Sequence, residues 1–212
     1  MSSETFRADR SGAVIVEMAI ALPLLLILLL GFVDFGYAFY QWNAGNKAVQ
    51  VGARLARISD PVATDIATVV KTLPTGKSPG DPVAPDTYHF TCSADSSGAA
   101  LCTYCDENDK CSTSGSSQTA FDLIYDGDAT RPGMHAFLPT LAKSEVQIEY
   151  VATGLDFWTR PGGPVPTIKV SIINHQFQFF FLGALLKLAH DTITMPNMLS
   201  TVTGEDLDSS AP

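Results

Sequence analysis

The sequence predicts an α+β protein, in which a long N-terminal transmembrane helix continues into an extracytoplasmic head with a small antiparallel sheet. Three observations predict this class. Residues 13–33 form an apolar run with a single ionisable group, Glu17. A largely apolar stripe at helical spacing then continues as far as Ala56. In the second half of the chain, short segments rich in aromatic and β-branched residues recur, as strands do.

The apolar run is long enough to cross a bilayer. A helix from Ala13 to Val33 is roughly 30 Å long at about 1.5 Å per residue, which matches the hydrocarbon thickness of a membrane. Arg7 and Arg10 precede the run, and the first basic residue after it is Lys47. The positive-inside rule therefore predicts one span, a cytoplasmic N-terminus and an extracytoplasmic C-terminal part.

A cleaved secretory signal is the alternative interpretation of this segment. Such a signal has an apolar stretch of roughly 7–15 residues followed by a small-x-small cleavage site. Gly36-Tyr37-Ala38 fits that cleavage pattern, but the apolar stretch here is longer. The length favours a retained anchor, with cleavage after Ala38 left open.

Glu17 is the anomaly of the span. A carboxylate inside an apolar span costs roughly 2.5–3.5 kcal/mol on insertion scales, so it needs either access to water or a partner. One interpretation places Glu17 at the cytoplasmic interface, where its side chain reaches water. The other pairs it with a positive group of a neighbouring subunit, such as an amino terminus exposed by cleavage of the same segment.

The residues around Glu17 resemble the N-terminal segment of TadE-like proteins, a branch of the type IV pilin-like precursors. The resemblance lies in a glycine before the span, a Glu-Met-Ala triplet, a proline within the span and a glycine and an Asp-Phe-Gly triplet at its end: Gly12, Glu17-Met18-Ala19, Pro23, Gly31 and Asp34-Phe35-Gly36. Met18 stands where an aromatic residue is commoner. Residues 43–56 are also similar to the segment that follows the span in that family, whereas the rest of the chain is only loosely similar.

The resemblance implies a minor pilin or pseudopilin that takes part in Tad-type pilus assembly at the bacterial inner membrane. It implies a leader, residues 1–12, that a prepilin peptidase removes by cutting between Gly12 and Ala13. Glu17 would then act in assembly, and Pro23 would kink the helix. The implied partners are the major pilin, other minor pilins, the prepilin peptidase, the pilus assembly platform and membrane lipid.

Residues 34–59 are expected to extend the helix beyond the membrane. The extension ends before Asp60-Pro61, because a residue that precedes proline avoids the α conformation. Small residues on its apolar stripe allow another element to approach closely: Gly45, Gly52, Ala53 and Ala56. The stripe is expected to pack on the head, on another subunit, or on both. Residues 60–203 form the predicted head, and residues 204–212 an acidic flexible tail.

The predicted head combines short helices with strands. Strands are expected at 87–92, 100–104, 146–151 and 166–174, with the last two as an antiparallel pair. Short helical pieces are expected within 61–72, near 121–124 and within 134–141. The apolar segment 177–189 is interrupted at Lys187 and is too short to span a membrane. It is expected to be a buried element, a partner surface, or an element resting on the outer membrane surface.

Four cysteines are grouped in the predicted head as Cys92-x9-Cys102-x2-Cys105-x5-Cys111. Outside the cytoplasm, two disulfides are favoured over a metal site, because the four positions do not form two Cys-x2-Cys pairs. The pairing Cys92–Cys102 with Cys105–Cys111 is the first expectation, since the strands that carry Cys92 and Cys102 are candidate neighbours. The nested arrangement with Cys92–Cys111 is the second.

Composition and motifs restrict the function classes. The chain has 13 Lys and Arg against 22 Asp and Glu, and a net charge of −9 argues against binding to nucleic acid. Its four histidines (His89, His135, His175 and His190) are scattered, and no nucleophile-elbow, zinc-protease or P-loop motif is present. No enzyme activity, metal or cofactor is therefore expected. The alternative function is a signal-anchored extracytoplasmic binding or redox protein that uses the cysteine segment 92–111.

Overall fold

A computed structural model describes residues 11–160, 163–181, 192–204 and 207 of the 212-residue chain. The chain divides into two compact units. The first combines the chain up to Tyr40 with residues 176–194, and the second combines residues 41–175 with those from Met195 onward. Most of the expected leader, residues 182–189 of the apolar segment and most of the expected tail lie outside the described residues.

One long helix, α1, covers Ser11–Arg57. It ends two residues before the expected boundary, where the Ser59 hydroxyl donates a hydrogen bond of 2.8 Å to the Leu55 carbonyl. Arg54 and Arg57 lie in its last turn, where positive charge interacts favourably with the helix dipole. Pro23 lies inside the helix and cannot donate the usual backbone hydrogen bond. The kink at Pro23 stays a prediction.

Among the residues that the structure describes, eight strands and two further α-helices follow. In chain order they are α2 (Ile66–Lys71), β1 (Tyr88–Ala94), β2 (Ala100–Asp106), β3 (Cys111–Ser114), α3 (Gln118–Tyr125), β4 (Val146–Val151), β5 (Thr167–Ile172), β6 (Gln176–Gln178), β7 (Thr192–Thr194) and β8 (Met198–Thr203). Two 3₁₀ turns, Met134–Ala136 and Lys143–Glu145, precede β4. The four expected strands are present as β1, β2, β4 and β5.

The second unit contains a six-stranded antiparallel sheet in the order β3-β2-β1-β4-β5-β8. The expected antiparallel pair is the β4–β5 pair, with Ile148 opposite Val170. The sheet is wider than the sequence predicts because β3 and β8 add a strand at each edge. In the first unit, β6 and β7 form a separate antiparallel pair.

Two of the expected helical pieces are shorter than predicted. Helix α2 begins at Ile66, not near Pro61, because Ala63 bridges Ser116 and the Thr64 N–H donates to the Gly115 carbonyl. The expected piece at 134–141 is only a 3₁₀ turn, Met134–Ala136. Its extension is opposed by a proline at 139, which disfavours helical geometry at the residue before it.

The core of the second unit lies between one face of the sheet and the last turns of α1. Alternate side chains of β1 and β4, such as Phe90 and Ile148, are fully buried. On the helix, Ala48, Val49 and Ala56 are buried as well. This part of the apolar stripe therefore packs on the head of the same chain, one of the arrangements that the sequence allowed.

Candidate functional site

The first part of α1, residues 13–29, presents an apolar surface that the described chain does not cover. Every residue from Ala13 to Leu29 is exposed, including Leu24 at 62%. Among the described residues, α1 is the one helix long and apolar enough to cross a membrane. An apolar surface of this size on a folded chain marks contact with lipid or with other proteins. The candidate site is therefore the surface of this helix.

Gly12 and Ala13, the expected processing residues, lie in the first turn of α1. A Cβ atom added to Gly12 would have no neighbour within 4 Å. The backbone of Gly12 is helical, and so it does not need the left-handed conformation that favours glycine. Neither packing nor backbone geometry within the described chain requires a glycine at position 12.

Glu17 lies one turn beyond Ala13 and is exposed. Its neighbours on the helix, Val16 and Met18, are exposed and apolar. Within residues 11–160, 163–181, 192–204 and 207, no side chain forms an ion pair or hydrogen bond with it. The described part of the chain thus provides neither burial nor charge compensation for this carboxylate.

The four cysteines form two disulfides, Cys92–Cys102 and Cys105–Cys111, which is the first of the two expected pairings. Each pair lies directly opposite in an antiparallel register, across β1 and β2 in one case and β2 and β3 in the other. The Cα atoms of each pair are 4.1 Å apart. Cys92 and Cys102 are buried, whereas Cys111 is exposed. One disulfide therefore lies in the core and the other at the sheet edge.

The described histidines have separate surroundings. His89 lies 3.5 Å from Glu149, and His175 is hydrogen-bonded to Glu145 at 2.9 Å. The His135 ring stacks on Tyr125. His190 lies outside the described residues. In the part of the chain that the structure describes, no group of three or more His, Cys, Asp or Glu residues is arranged to hold a metal.

Comparison with known protein families finds a match for the N-terminal part of the chain. Residues 12–54 match the family model described as TadE-like protein. The N-terminal segment is thus similar to that of TadE-like proteins. The match covers about a fifth of the chain and includes Gly12, Ala13, Glu17 and Pro23. No curated protein and no solved structure matches the chain.

The head, residues 60–203, lies outside the segment that matches the TadE-like family model, although the part of α1 that packs on the head lies within that segment. All four cysteines and all of the strands follow residue 54. The match therefore supports an interpretation of the helix residues, while the head is interpreted from its own contacts alone.

Sequence reasoning placed Asp34 in the Asp-Phe-Gly triplet but gave it no role. The structure buries it completely, although it directly follows an exposed apolar span. Its carboxylate accepts hydrogen bonds from the backbone N–H groups of Phe180 and Phe181. The signal in the sequence was a carboxylate at the end of an apolar run, but the residues that it binds are 146 and 147 positions later.

Proposed function

We propose that this chain is a minor pilin or pseudopilin of the TadE type, which takes part in the assembly of a Tad-type pilus at the bacterial inner membrane. The observation that carries the proposal is the TadE-like helix whose apolar surface is left uncovered by the described chain. In the membrane, lipid covers that surface. In a pilus, the same surface packs against the helices of neighbouring subunits.

The proposed location is the inner membrane, with a single span, a cytoplasmic N-terminus and a head in the periplasm or in the pilus. The position of the apolar helix near the N-terminus supports a single anchor. Arg7 and Arg10 before the span support the orientation. Two disulfides in the head suit an oxidising compartment.

The first step in the proposed function is cleavage between Gly12 and Ala13 by a prepilin peptidase. A side chain at position 12 would hinder the approach of the protease to the backbone, which gives a reason for glycine where the chain itself needs none. After the cut, Ala13 carries a new positively charged amino group. The further partners are the major pilin, other minor pilins and the assembly platform.

Gly12→Val tests this step. We expect the variant to remain uncut, while the parent protein begins at Ala13 when its N-terminus is sequenced from membrane extracts. Gly36→Val is the matched control, because Gly36 is also helical and an added Cβ there also has no neighbour within 4 Å. The control should mature normally.

Two results would contradict the processing proposal. One is a Gly12→Val protein that matures at the parental rate. The other is a parent protein that begins at Phe39, which would indicate secretory cleavage after Ala38. Against the latter, residues 36–38 lie in the interior of helix α1, where both the N–H and C=O groups are engaged in helical hydrogen bonds, whereas the N–H groups of Gly12 and Ala13, in the first turn, have no partner within the helix.

The second step is assembly, in which Glu17 of one subunit neutralises the Ala13 amino group of a neighbour. Two poorly solvated charges attract strongly in a low dielectric, but their desolvation opposes the gain, so the pair enforces registry more than it adds stability. We expect Glu17→Ala to insert into the membrane and fold normally, because it removes a costly carboxylate. Pilus assembly, measured by the yield of sheared pili, should fail or slow sharply.

Glu17→Gln distinguishes charge from hydrogen bonding. If the charge is required, the glutamine variant assembles about as poorly as the alanine variant. Near-normal assembly of Glu17→Gln would leave hydrogen bonding as the role of Glu17. Normal pili from both variants would show that Glu17 merely reaches water at the interface.

A further inference from the structure

The end of the apolar span is joined to a distant part of the chain by Asp34. Its carboxylate accepts a hydrogen bond from the Phe180 N–H at 3.2 Å and from the Phe181 N–H at 3.1 Å. Asp34 is fully buried, and both aromatic residues belong to the same compact unit as this part of α1. Hydrogen bonds to a charged acceptor are stronger than those between neutral groups. Asp34 therefore fixes the backbone at 180–181 against the helix.

Ring contacts support the same attachment. The Phe179 ring meets Phe35 edge-on, with centroids 6.4 Å apart. Tyr37 contacts both Phe177 and Phe180, at centroid distances of 5.9 and 5.0 Å. Phe177 is buried. Aromatic pairs at these separations and angles are favourable beyond their buried area.

The outward side of this cluster remains apolar and exposed. Five aromatic side chains form what we call the aromatic belt: Phe35 (63% exposed), Phe39 (68%), Tyr40 (65%), Phe180 (60%) and Phe181 (43%). Between residues 34 and 40 and between residues 176 and 181, the sole ionisable acid or base other than tyrosine is Asp34, which is buried. The belt thus offers no charge for a complementary charged protein surface.

The position of the belt along α1 matches the boundary of a membrane. The hydrocarbon core accounts for about 30 Å of a bilayer of about 40–45 Å, which leaves roughly 5–8 Å of headgroup layer on each side. If the span ends at Val33, the backbone from Phe35 to Tyr40 lies about 3–11 Å beyond it, and the side chains of a helix point back towards its N-terminus, which brings these rings closer to the membrane. Tyrosine, which has one apolar and one polar end, is enriched at this depth, and phenylalanine is typical of the apolar face of helices that lie at the membrane interface.

We propose that the aromatic belt inserts into the headgroup boundary at the extracytoplasmic surface of the membrane, and that Asp34 is the positioning residue that holds Phe180 and Phe181 there. The occupant of this surface is phospholipid, because the belt continues directly from the lipid-facing span and is uncharged. The inference rests on the proposed membrane anchor. It adds a second contact with the same bilayer, made by a segment far along the chain.

Quenching by brominated phosphatidylcholine tests the proposal on the full chain in phosphatidylcholine vesicles. The background variant is Trp42→Phe, which leaves the buried Trp158 as a constant baseline. Phe180→Trp in that background reports on the belt. Leu24→Trp, at an exposed position in the middle of the span, reports on the anchor itself.

We expect lipid brominated near the headgroup to quench Phe180→Trp about twofold more than lipid brominated near the end of the acyl chain, with the reverse order for Leu24→Trp. Adding Asp34→Ala should roughly halve the shallow quenching of Phe180→Trp and leave Leu24→Trp unchanged. Adding Asp34→Asn, which keeps one acceptor oxygen, should preserve more of the quenching than alanine does.

The outcomes separate the belt from the anchor. Absence of quenching at Leu24→Trp would overturn the anchor and with it the belt. Quenching at Leu24→Trp with Phe180→Trp at the Trp158 baseline would overturn the belt alone. A blue-shifted but unquenched Phe180→Trp would show that a protein, such as a second copy of this chain, covers the surface instead. Unchanged quenching after Asp34→Ala would remove Asp34 from the positioning role.

Discussion

Four of the five glycines in helix α1 distinguish two regions of different character. In the N-terminal half, a Cβ atom added to Gly12 or Gly36 would have no neighbour within 4 Å. In the C-terminal half, a Cβ atom at Gly45 would collide with the Met198 sulfur, and one at Gly52 with the buried Met134 side chain. Glycine is therefore required for packing at positions 45 and 52, whereas the described chain does not require it at positions 12 and 36.

This difference indicates that small residues occur in the same helix for two different reasons. Where the head covers the helix, small residues permit close approach, and their replacement should lower the free energy of unfolding. Where the described chain covers nothing, a small residue has no effect on the fold, and its role lies with an external protein or with lipid. Substitutions in the part of α1 that the head covers should therefore change the free energy of unfolding, whereas substitutions in the uncovered part should change pilus assembly.

Removal of the core disulfide, Cys92–Cys102, should have the largest effect on the stability of the head. Replacing both Cys92 and Cys102 by alanine should lower the free energy of unfolding by about 3 kcal/mol, because the unfolded chain gains the entropy of an open loop. Guanidinium unfolding of the full chain in detergent, followed by tryptophan fluorescence, measures it. Insertion into vesicles should not change.

The edge disulfide provides the control. Its loop is shorter, with a separation of 6 residues instead of 10, so replacing Cys105 and Cys111 should lower the free energy of unfolding by about 2 kcal/mol.

In the parent protein, alkylation without reductant should detect no free thiol. Two alkylated cysteines or bound zinc in the native protein would instead support the binding or redox alternative.

Gly52→Val should have the next largest effect. The added side chain meets the Met134 sulfur and a Val170 methyl group, and overpacking of this kind costs about 1–3 kcal/mol. Gly36→Val makes the same chemical change on the uncovered half of the helix and should leave the free energy of unfolding of the head unaltered. The same guanidinium titration measures both variants.

An equal loss of stability in both variants would break the comparison between the two halves of α1. It would mean that valine lowers stability by a mechanism common to the two helical sites and not through contact with the head, because helix propensity alone favours valine over glycine and would raise stability. A loss confined to Gly52→Val would sharpen the comparison to the contacts with Met134 and Val170.

Local patterns in the sequence were sufficient to predict much of this fold. The apolar run and its helical stripe predicted α1 to within two residues at its C-terminal end, and alternation predicted β4 at its observed bounds, Val146–Val151. The cysteine pairing followed from the expected proximity of two strands. Each of these features depends on neighbours in sequence or on strands joined by a short turn.

The features that the sequence did not predict depend on distant contacts. Strand β8 is defined by pairing with β5, about 30 residues earlier, and its own residues alternate weakly. The edge strand β3 has only four residues. Asp34 looked like one acidic residue after a span, since nothing near it in sequence identifies Phe180 and Phe181 as its donors.

The smallest predicted effect concerns a second carboxylate that binds distant backbone. Asp65 accepts hydrogen bonds from the Gly115 N–H at 2.8 Å and from the Ser114 hydroxyl at 3.0 Å. The Gly115 N–H, followed by the Ser114 hydroxyl, lowers the pKa of Asp65 below its ordinary value. Asp34 in the other unit is buried, whereas Asp65 is exposed. Solvent screening therefore weakens the contribution of Asp65 to the free energy of unfolding.

The sign of the pH effect follows from the lowered pKa. Because the folded state holds the Asp65 proton less tightly than the unfolded chain, the stabilisation is present above the ordinary pKa of about 4 and is lost as the pH falls towards the lowered value. Asp65→Asn should therefore cost less than about 1 kcal/mol at neutral pH, since the carboxylate is exposed.

Between about pH 5 and pH 3, the free energy of unfolding should fall less steeply for Asp65→Asn than for the parent, so that the two curves converge in acid. Asp81→Asn is the control, because the Asp81 carboxylate accepts from Ser78 within its own turn, a contact that links no distant segments. Guanidinium titrations at a series of pH values measure the slopes. Parallel curves for parent and Asp65→Asn would show that the link from α2 to residues 114–115 is maintained by the backbone contact between Thr64 and Gly115 and does not depend on the charge of Asp65.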